Sequence, residues 1–162
     1  MSDPYQEVLQ GETVLRCPPG PHHETICRRL HSLLGECLER VLTSRLLTVR
    51  SKVELVPGTI VCPDLTLIAA ATGKPWLIGE VIDSEDHHTD TVLKKSVYED
   101  TKLPRLWMID PRYNNVEIYH GTPYGLSLKH ILAQRDRLTE ALIPELYVAI
   151  PDLFAVKPED EN

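Results

Sequence analysis

The chain has no apolar run approaching about 18 residues, so no membrane-spanning helix is expected. Its start, Met1-Ser2-Asp3-Pro4-Tyr5-Gln6-Glu7, has no basic stretch followed by an apolar core, and so does not read as a signal peptide. Both absences predict an intracellular, cytoplasmic protein with no membrane partner. None of the four cysteines, Cys17, Cys27, Cys37 and Cys62, stands at C-x-x-C spacing from another, which removes the commonest zinc signature. Cys27 and Cys37 fall on an apolar helical face and read as free buried thiols. Positive charge is scarce too: 17 Lys and Arg stand against 24 Asp and Glu, a net charge of −7. Non-specific nucleic-acid affinity comes mainly from Lys and Arg neutralising phosphates, so the balance disfavours a general nucleic-acid binder. A local basic face remains compatible with an acidic whole. No internal repeat and no low-complexity run is present.

What remains is an ordinary globular composition, 42% apolar and 25% charged, in 162 residues. One domain is expected over 21–156. An irregular arm over 1–20 precedes it and a charged tail over 157–162 follows. Ile26, Leu30, Leu33, Leu34, Cys37, Leu38 and Val41 recur at helical spacing. Carried backwards on the same wheel, His23 falls near the centre of the apolar stripe and points toward the body of the protein. Strands are expected over 46–55, 59–70 and 75–83, then a helix over 90–102 capped by Thr89 or Asp90. Further strands follow over 105–110, 116–120 and 126–131, and the segment 142–154 packs back onto the core. The order predicts an α+β sandwich with a mixed central sheet flanked by helices.

Two carboxylates break the apolar pattern. Asp64 lies in Val61-Cys62-Pro63-Asp64-Leu65 and Glu80 in Leu77-Ile78-Gly79-Glu80-Val81. A reversal centred on Thr72 makes them mirror partners across an antiparallel pair. Like charges directly opposite one another are destabilising, so a cation is expected beside them. A divalent metal is the sharpest candidate, because Asp and Glu supply the hard oxygens that magnesium and manganese prefer. Such an ion polarises a phosphoryl oxygen and makes water a better nucleophile. Lys94 is the other candidate cation. On a helical wheel it faces inward, whereas Lys95 shares the solvated face with Glu99 and Lys102. Lys94 could position or deprotonate the water, stabilise the transition state by charge, pair with Asp90 in an ordinary helix salt bridge, or simply hold the two acids together. His23 reads either as a satisfied histidine near the helix start or as a supporting group beside the acids. His87 and His88 read as loop residues.

The ordered set Val61-Cys62-Pro63-Asp64-Leu65, Gly79-Glu80-Val81-Ile82, Asp90-x-x-x-Lys94-x-x-x-Tyr98 and Leu106-Trp107-Met108-Ile109-Asp110-Pro111 resembles the Uma-two family. The likeness extends to His23-x-x-Ile26-x-x-x-Leu30 and to Leu142-Ile143-Pro144-Glu145-Leu146, over about residues 20–155. That family belongs to the PD-(D/E)XK restriction-endonuclease-like superfamily. The resemblance implies a restriction-endonuclease-like fold and a metal-dependent endonuclease cutting nucleic-acid phosphodiesters, DNA in the first place. Asp64 and Glu80 would bind Mg2+ or Mn2+, Lys94 would assist the water, and His23 would support from the first helix. The superfamily's sheet lysine, two residues beyond the second acid, is replaced here by Ile82, and Lys94 matches a lysine displaced to the following helix. Tyr98 matches a recurrent helix tyrosine. The loop Asp83-Ser84-Glu85-Asp86-His87-His88 departs from the family's Ser-Pro-Ser type. The alternative is a catalytically inactive nuclease fold kept as a binding or assembly module, such as a homodimer, with a purely structural Asp/Glu/Lys cluster.

Overall fold

The structure, a computed structural model, describes residues 3–83 and 89–156. The expected charged tail, the loop histidines His87 and His88 and the side chains of the expected caps Thr89 and Asp90 lie outside the described parts. Among the described residues no helix is long and apolar enough to cross a membrane.

The first element corrects the expected irregular arm. Strands β1 (Tyr5–Leu9) and β2 (Glu12–Arg16) form an antiparallel hairpin. Gln10 and Gly11 both carry positive φ, the geometry of a two-residue turn whose twist matches the flanking strands. The inward positions of the hairpin include Glu7 and Arg16, so the alternation that marks a half-buried strand is written in charged residues.

Helix α1 (Pro21–Leu38) follows, with Pro21 at its first turn, where the missing N–H costs nothing. Ile26, Leu30, Leu34 and Leu38 are buried, as the spacing predicts. The segment expected as one strand over 46–55 is two short strands in different sheets, β3 (Ser44–Leu46) and β4 (Val53–Val56). Between them a turn closes through Ser51 N–H to Thr48 O, and Arg50 adopts φ 55°. The expected strand over 59–70 is likewise divided into β5 (Thr59–Val61) and β6 (Leu65–Ala69). The chain changes sheets at Cys62-Pro63-Asp64. Proline there has no N–H to give to a ladder, so the break falls where the backbone can least continue one.

Strand β7 (Pro75–Val81) pairs antiparallel with β6 and parallel with β8 (Arg105–Asp110). The parallel crossover carries a π-helical turn, Thr89–Lys94, running into α2 (Lys95–Asp100). Strands β9 (Asn115–Thr122) and β10 (Gly125–Ala133) continue the sheet as a meander. The pair β11 (Arg137–Glu140) and β12 (Ile143–Ala149) and the short helix α3 (Ile150–Phe154) close the described chain.

The result is a mixed six-stranded sheet in the order β10-β9-β8-β7-β6-β3, with a four-stranded antiparallel sheet, β2-β1-β5-β4, beside it. One core joins Leu65, Leu67, Leu77, Trp107 and Ile109 to the apolar faces of α1, β12 and α3. The other joins Ile78, Ile82, Leu106 and Met108 to Val97 and Tyr98 of α2 and to Leu9, Val53 and Val61 of the smaller sheet. Both faces of the central strands are therefore covered, which is why β6, β7 and β8 read as nearly continuous apolar runs.

Candidate active site at the sheet crossing

The β6–β7 register is Leu65↔Gly79, Thr66↔Ile78 and Leu67↔Leu77, a reversal centred on Thr72 as the sequence predicts. The ladder ends at Leu65↔Gly79, and Asp64 and Glu80 are the residues that follow on the two chains. A Cβ at Gly79 would stand 3.0 Å from Leu65 Cβ, so the absence of a side chain there lets the strands close up beside the acids. Asp64 and Glu80 are 4% and 2% exposed and Lys94 is fully buried.

The structure divides these groups between two linked clusters. In the first, Glu80 Oε1 lies 2.5 Å from Lys94 Nζ and accepts from Tyr98 Oη at 2.5 Å. Lys94 also reaches Glu7 Oε2 at 2.8 Å. Glu7 then accepts from Arg16 Nη1 at 2.5 Å and from Cys62 N–H at 2.7 Å. Burial favours the protonated form of Glu7, but Lys94 beside it, the Cys62 N–H and Arg16 outweigh that and hold its carboxyl below the usual range. Burial first, and then the Glu80 charge, push the Tyr98 phenol well above its ordinary value, so it stays a donor to Glu80.

In the second cluster Asp64 Oδ1 accepts from Arg50 Nη1 at 2.9 Å, and Oδ2 accepts from Val81 N–H at 2.9 Å. Arg50 is fixed from its other side by both oxygens of Glu24, at 2.6 and 2.8 Å. His23 Nε2 stands 3.3 Å from Asp64 Oδ2 and donates to Val81 O at 2.9 Å. A carbonyl can only accept, so Nε2 carries a proton. His31, two turns further along α1, donates from Nε2 to the Asp64 carbonyl at 2.7 Å. Burial opposes ionisation of Asp64, yet the His23 charge and hydrogen bond, the Val81 N–H and Lys94 bring its carboxyl down to about 2. His23 responds in the opposite sense. Burial would depress it, but the Asp64 carboxylate raises it above its ordinary value.

Four residues named from sequence thus meet here: Asp64, Glu80, Lys94 and His23. Sequence reasoning missed Glu7, Arg16, Arg50 and Glu24. Arg50 and Glu24 form ion pairs only through long-range folding, whereas Glu7 and Arg16 pair across the β1–β2 hairpin, at inward strand positions that alternation could have marked. An open cleft of about 610 Å3 borders the second cluster, lined among others by Cys17, His22, His23, Ile82 and Arg112. His23 lines it, and Asp64 and Glu80 do not. Arg112 at its rim is held bidentate by Asp110, at 3.0 and 2.9 Å, immediately after β8.

The chemistry of two buried carboxylates, Asp64 and Glu80, suits a hard divalent ion, which these residues would hold. In the structure Arg50 and Lys94 balance the same oxygens.

The crystal structure of a "putative nuclease belonging to DUF820" from Anabaena variabilis superposes with a TM-score of 0.77. The two are 17% identical, over 94% of this chain and 91% of that one, so the likeness is one of fold. It agrees with the mixed α+β architecture described above. No curated protein matches the chain. The family model Uma2, described as "Putative restriction endonuclease", matches residues 2–151, a span that takes in the β1–β2 hairpin, both acids, Lys94 and His23. The chain belongs to the Uma2 family of restriction-endonuclease-like proteins.

Proposed function

We propose that the chain is a metal-dependent endonuclease acting on DNA. The observation that carries this reading is the burial of two acids, Asp64 and Glu80, just beyond the Leu65↔Gly79 end of the β6–β7 ladder, with the Lys94 ammonium 2.5 Å from one of them. Family membership supports a nuclease, and restriction-endonuclease-like proteins generally use divalent metals. Asp64 and Glu80 would hold Mg2+ or Mn2+. When bound, the ion supplies Lewis-acid polarisation of the scissile phosphate and lowers the cost of ionising water.

The chain's own residues would do the rest. Asp64, held ionised, keeps a full negative charge available at neutral pH. Lys94 stands between two carboxylates and acts by its charge on the developing pentavalent phosphorane. Tyr98 fixes the rotamer of Glu80 by donating to Oε1. His23 fixes Asp64 against Val81 and presents its ring to the cleft, where a phosphodiester would approach. A cytoplasmic setting belongs to the same proposal.

The test is cleavage of supercoiled plasmid and of RNA with Mg2+ or Mn2+, beside calorimetric titration with Mn2+. Nicking that disappears in Asp64→Asn and Glu80→Gln, together with loss of Mn2+ binding, is expected. A folded wild-type chain that neither cuts nor binds Mn2+ would sink the reading. One observation favours the inert-module alternative: Lys94 and Arg50 already balance the two acids, an arrangement a purely structural cluster would also show. That alternative predicts no Mn2+ binding.

A further inference from the structure

Cys27 is a buried thiol to which the nuclease reading gives no role. It follows His23 by one turn of α1, so the two side chains leave the same face of the helix. Cys27 Sγ lies 3.6 Å from His23 Nδ1. Two ligands of a tetrahedral zinc ion, one sulfur and one nitrogen at ordinary bond lengths, stand about 3.5 Å apart. The pair is already at chelating distance. The far side of the ring is fixed as well: Nε2–H donates to Val81 O, the kind of outer hydrogen bond that orients a metal-ligating histidine and leaves its other nitrogen to the ion. Asp64 completes a set of three buried ligands whose donor atoms lie within 4.8 Å of one another. Glu24 Oε1, 3.6 Å from His23 Nδ1, is a further oxygen at the same place.

We propose that His23, Cys27 and Asp64 form a site for a thiophilic divalent cation, zinc in the first place. On binding, the Cys27 S–H bond breaks and a sulfur–metal bond forms. The thiol proton, and the Nδ1 proton where His23 is doubly protonated, pass to solvent. Thiolate and imidazole select zinc over magnesium, so this ligand set differs in kind from the all-oxygen pair Asp64 and Glu80. Arg50 contacts Asp64 on Oδ1 while Oδ2 faces His23, so one carboxylate can serve both cations. His23 at the cleft wall gives the ion a way in. A zinc-loaded chain would withhold Asp64 and His23 from hydrolytic work, which makes the site inhibitory.

Titration of the full chain with Co2+ tests the assignment. Wild type is expected to develop a near-ultraviolet thiolate-to-cobalt band that zinc abolishes. The band is expected to vanish in Cys27→Ala and to persist in Cys17→Ala. No band in wild type, or a band that survives Cys27→Ala, overturns the proposal. A second measurement needs no variant. Saturating zinc is expected to slow alkylation of Cys27 by about tenfold or more, leaving exposed Cys17 unaffected; unchanged labelling of Cys27 also overturns it. Mn2+ affinity is expected to be unaltered in Cys27→Ala, so failure of this site and failure of the nuclease reading are separately visible.

Discussion

Lys94 Nζ lies 2.5 Å from Glu80 Oε1 and is fully buried, so the ammonium balances that carboxylate at contact distance and away from water. Removing one partner of a buried ion pair leaves the other charge uncompensated. Lys94→Met is therefore expected to destabilise the chain by about 3–5 kcal/mol in urea unfolding. A loss below about 1 kcal/mol would show that Glu80 and Glu7 are not held by this lysine.

Asp64 and His23 give the fold two opposite pH dependences. The folded Asp64 carboxyl ionises at about 2 against an ordinary 3.8, so its contribution is present above about pH 4 and is lost as pH falls toward 2. His23 is raised above 6.5 when folded, so its contribution is full below that value and is lost as pH rises through the folded pKa. An NMR titration is expected to place the His23 midpoint above 6.5 in wild type and lower in Asp64→Asn. A wild-type midpoint at or below 6.5 would contradict the pairing.

Arg50 sits on Oδ1 of Asp64, one of the two acids proposed to hold Mg2+ or Mn2+, and Glu24 holds it there with two hydrogen bonds. A guanidinium already on the carboxylate neutralises part of the charge that would attract a second cation. Arg50→Gln, which keeps a donor and drops the charge, is expected to tighten Mn2+ binding by about fivefold or more. Calorimetry reads this directly, and equal or weaker binding would mean that the two cations do not compete.

Glu7 ties the N-terminal hairpin to the site through Arg16, Lys94 and the Cys62 N–H. Glu7→Ala is expected to cost about 3 kcal/mol or more, since it removes a carboxylate shared by two buried cations. Glu7→Gln, which still accepts from Cys62, is expected to lose less. Thermal unfolding of the two variants checks the order, and equal melting temperatures would refute it.

The parts of the site legible in sequence are those governed by a local period. Asp64 and Glu80 follow from strand pairing about Thr72, and His23 from the apolar stripe of α1. An α-helical wheel turns Lys94 rather than Lys95 inward, and Lys94 is buried although it ends a π-helical turn. What was not legible depends on charge in places where periodicity expects apolar residues. Glu7 and Arg16 hide the hairpin in this way. The strand over 59–70 reads as continuous because Cys62-Pro63-Asp64 sits between two apolar runs; Pro63 marks a break there, but not that the two halves join different sheets. Arg50 reaches Asp64 from a loop residue at positive φ, with no spacing to announce it.

The Glu7 contact with Cys62 spans 55 residues, and the His23 contact with Val81 spans 58. Closures of that length come late in folding, because loop entropy must be met before such contacts repay it. A chain still emerging from the ribosome carries its first acid long before Lys94 exists to accompany it. Whatever chemistry the cluster performs is therefore withheld from partial translation products and begins only when the polypeptide is long enough to close on itself.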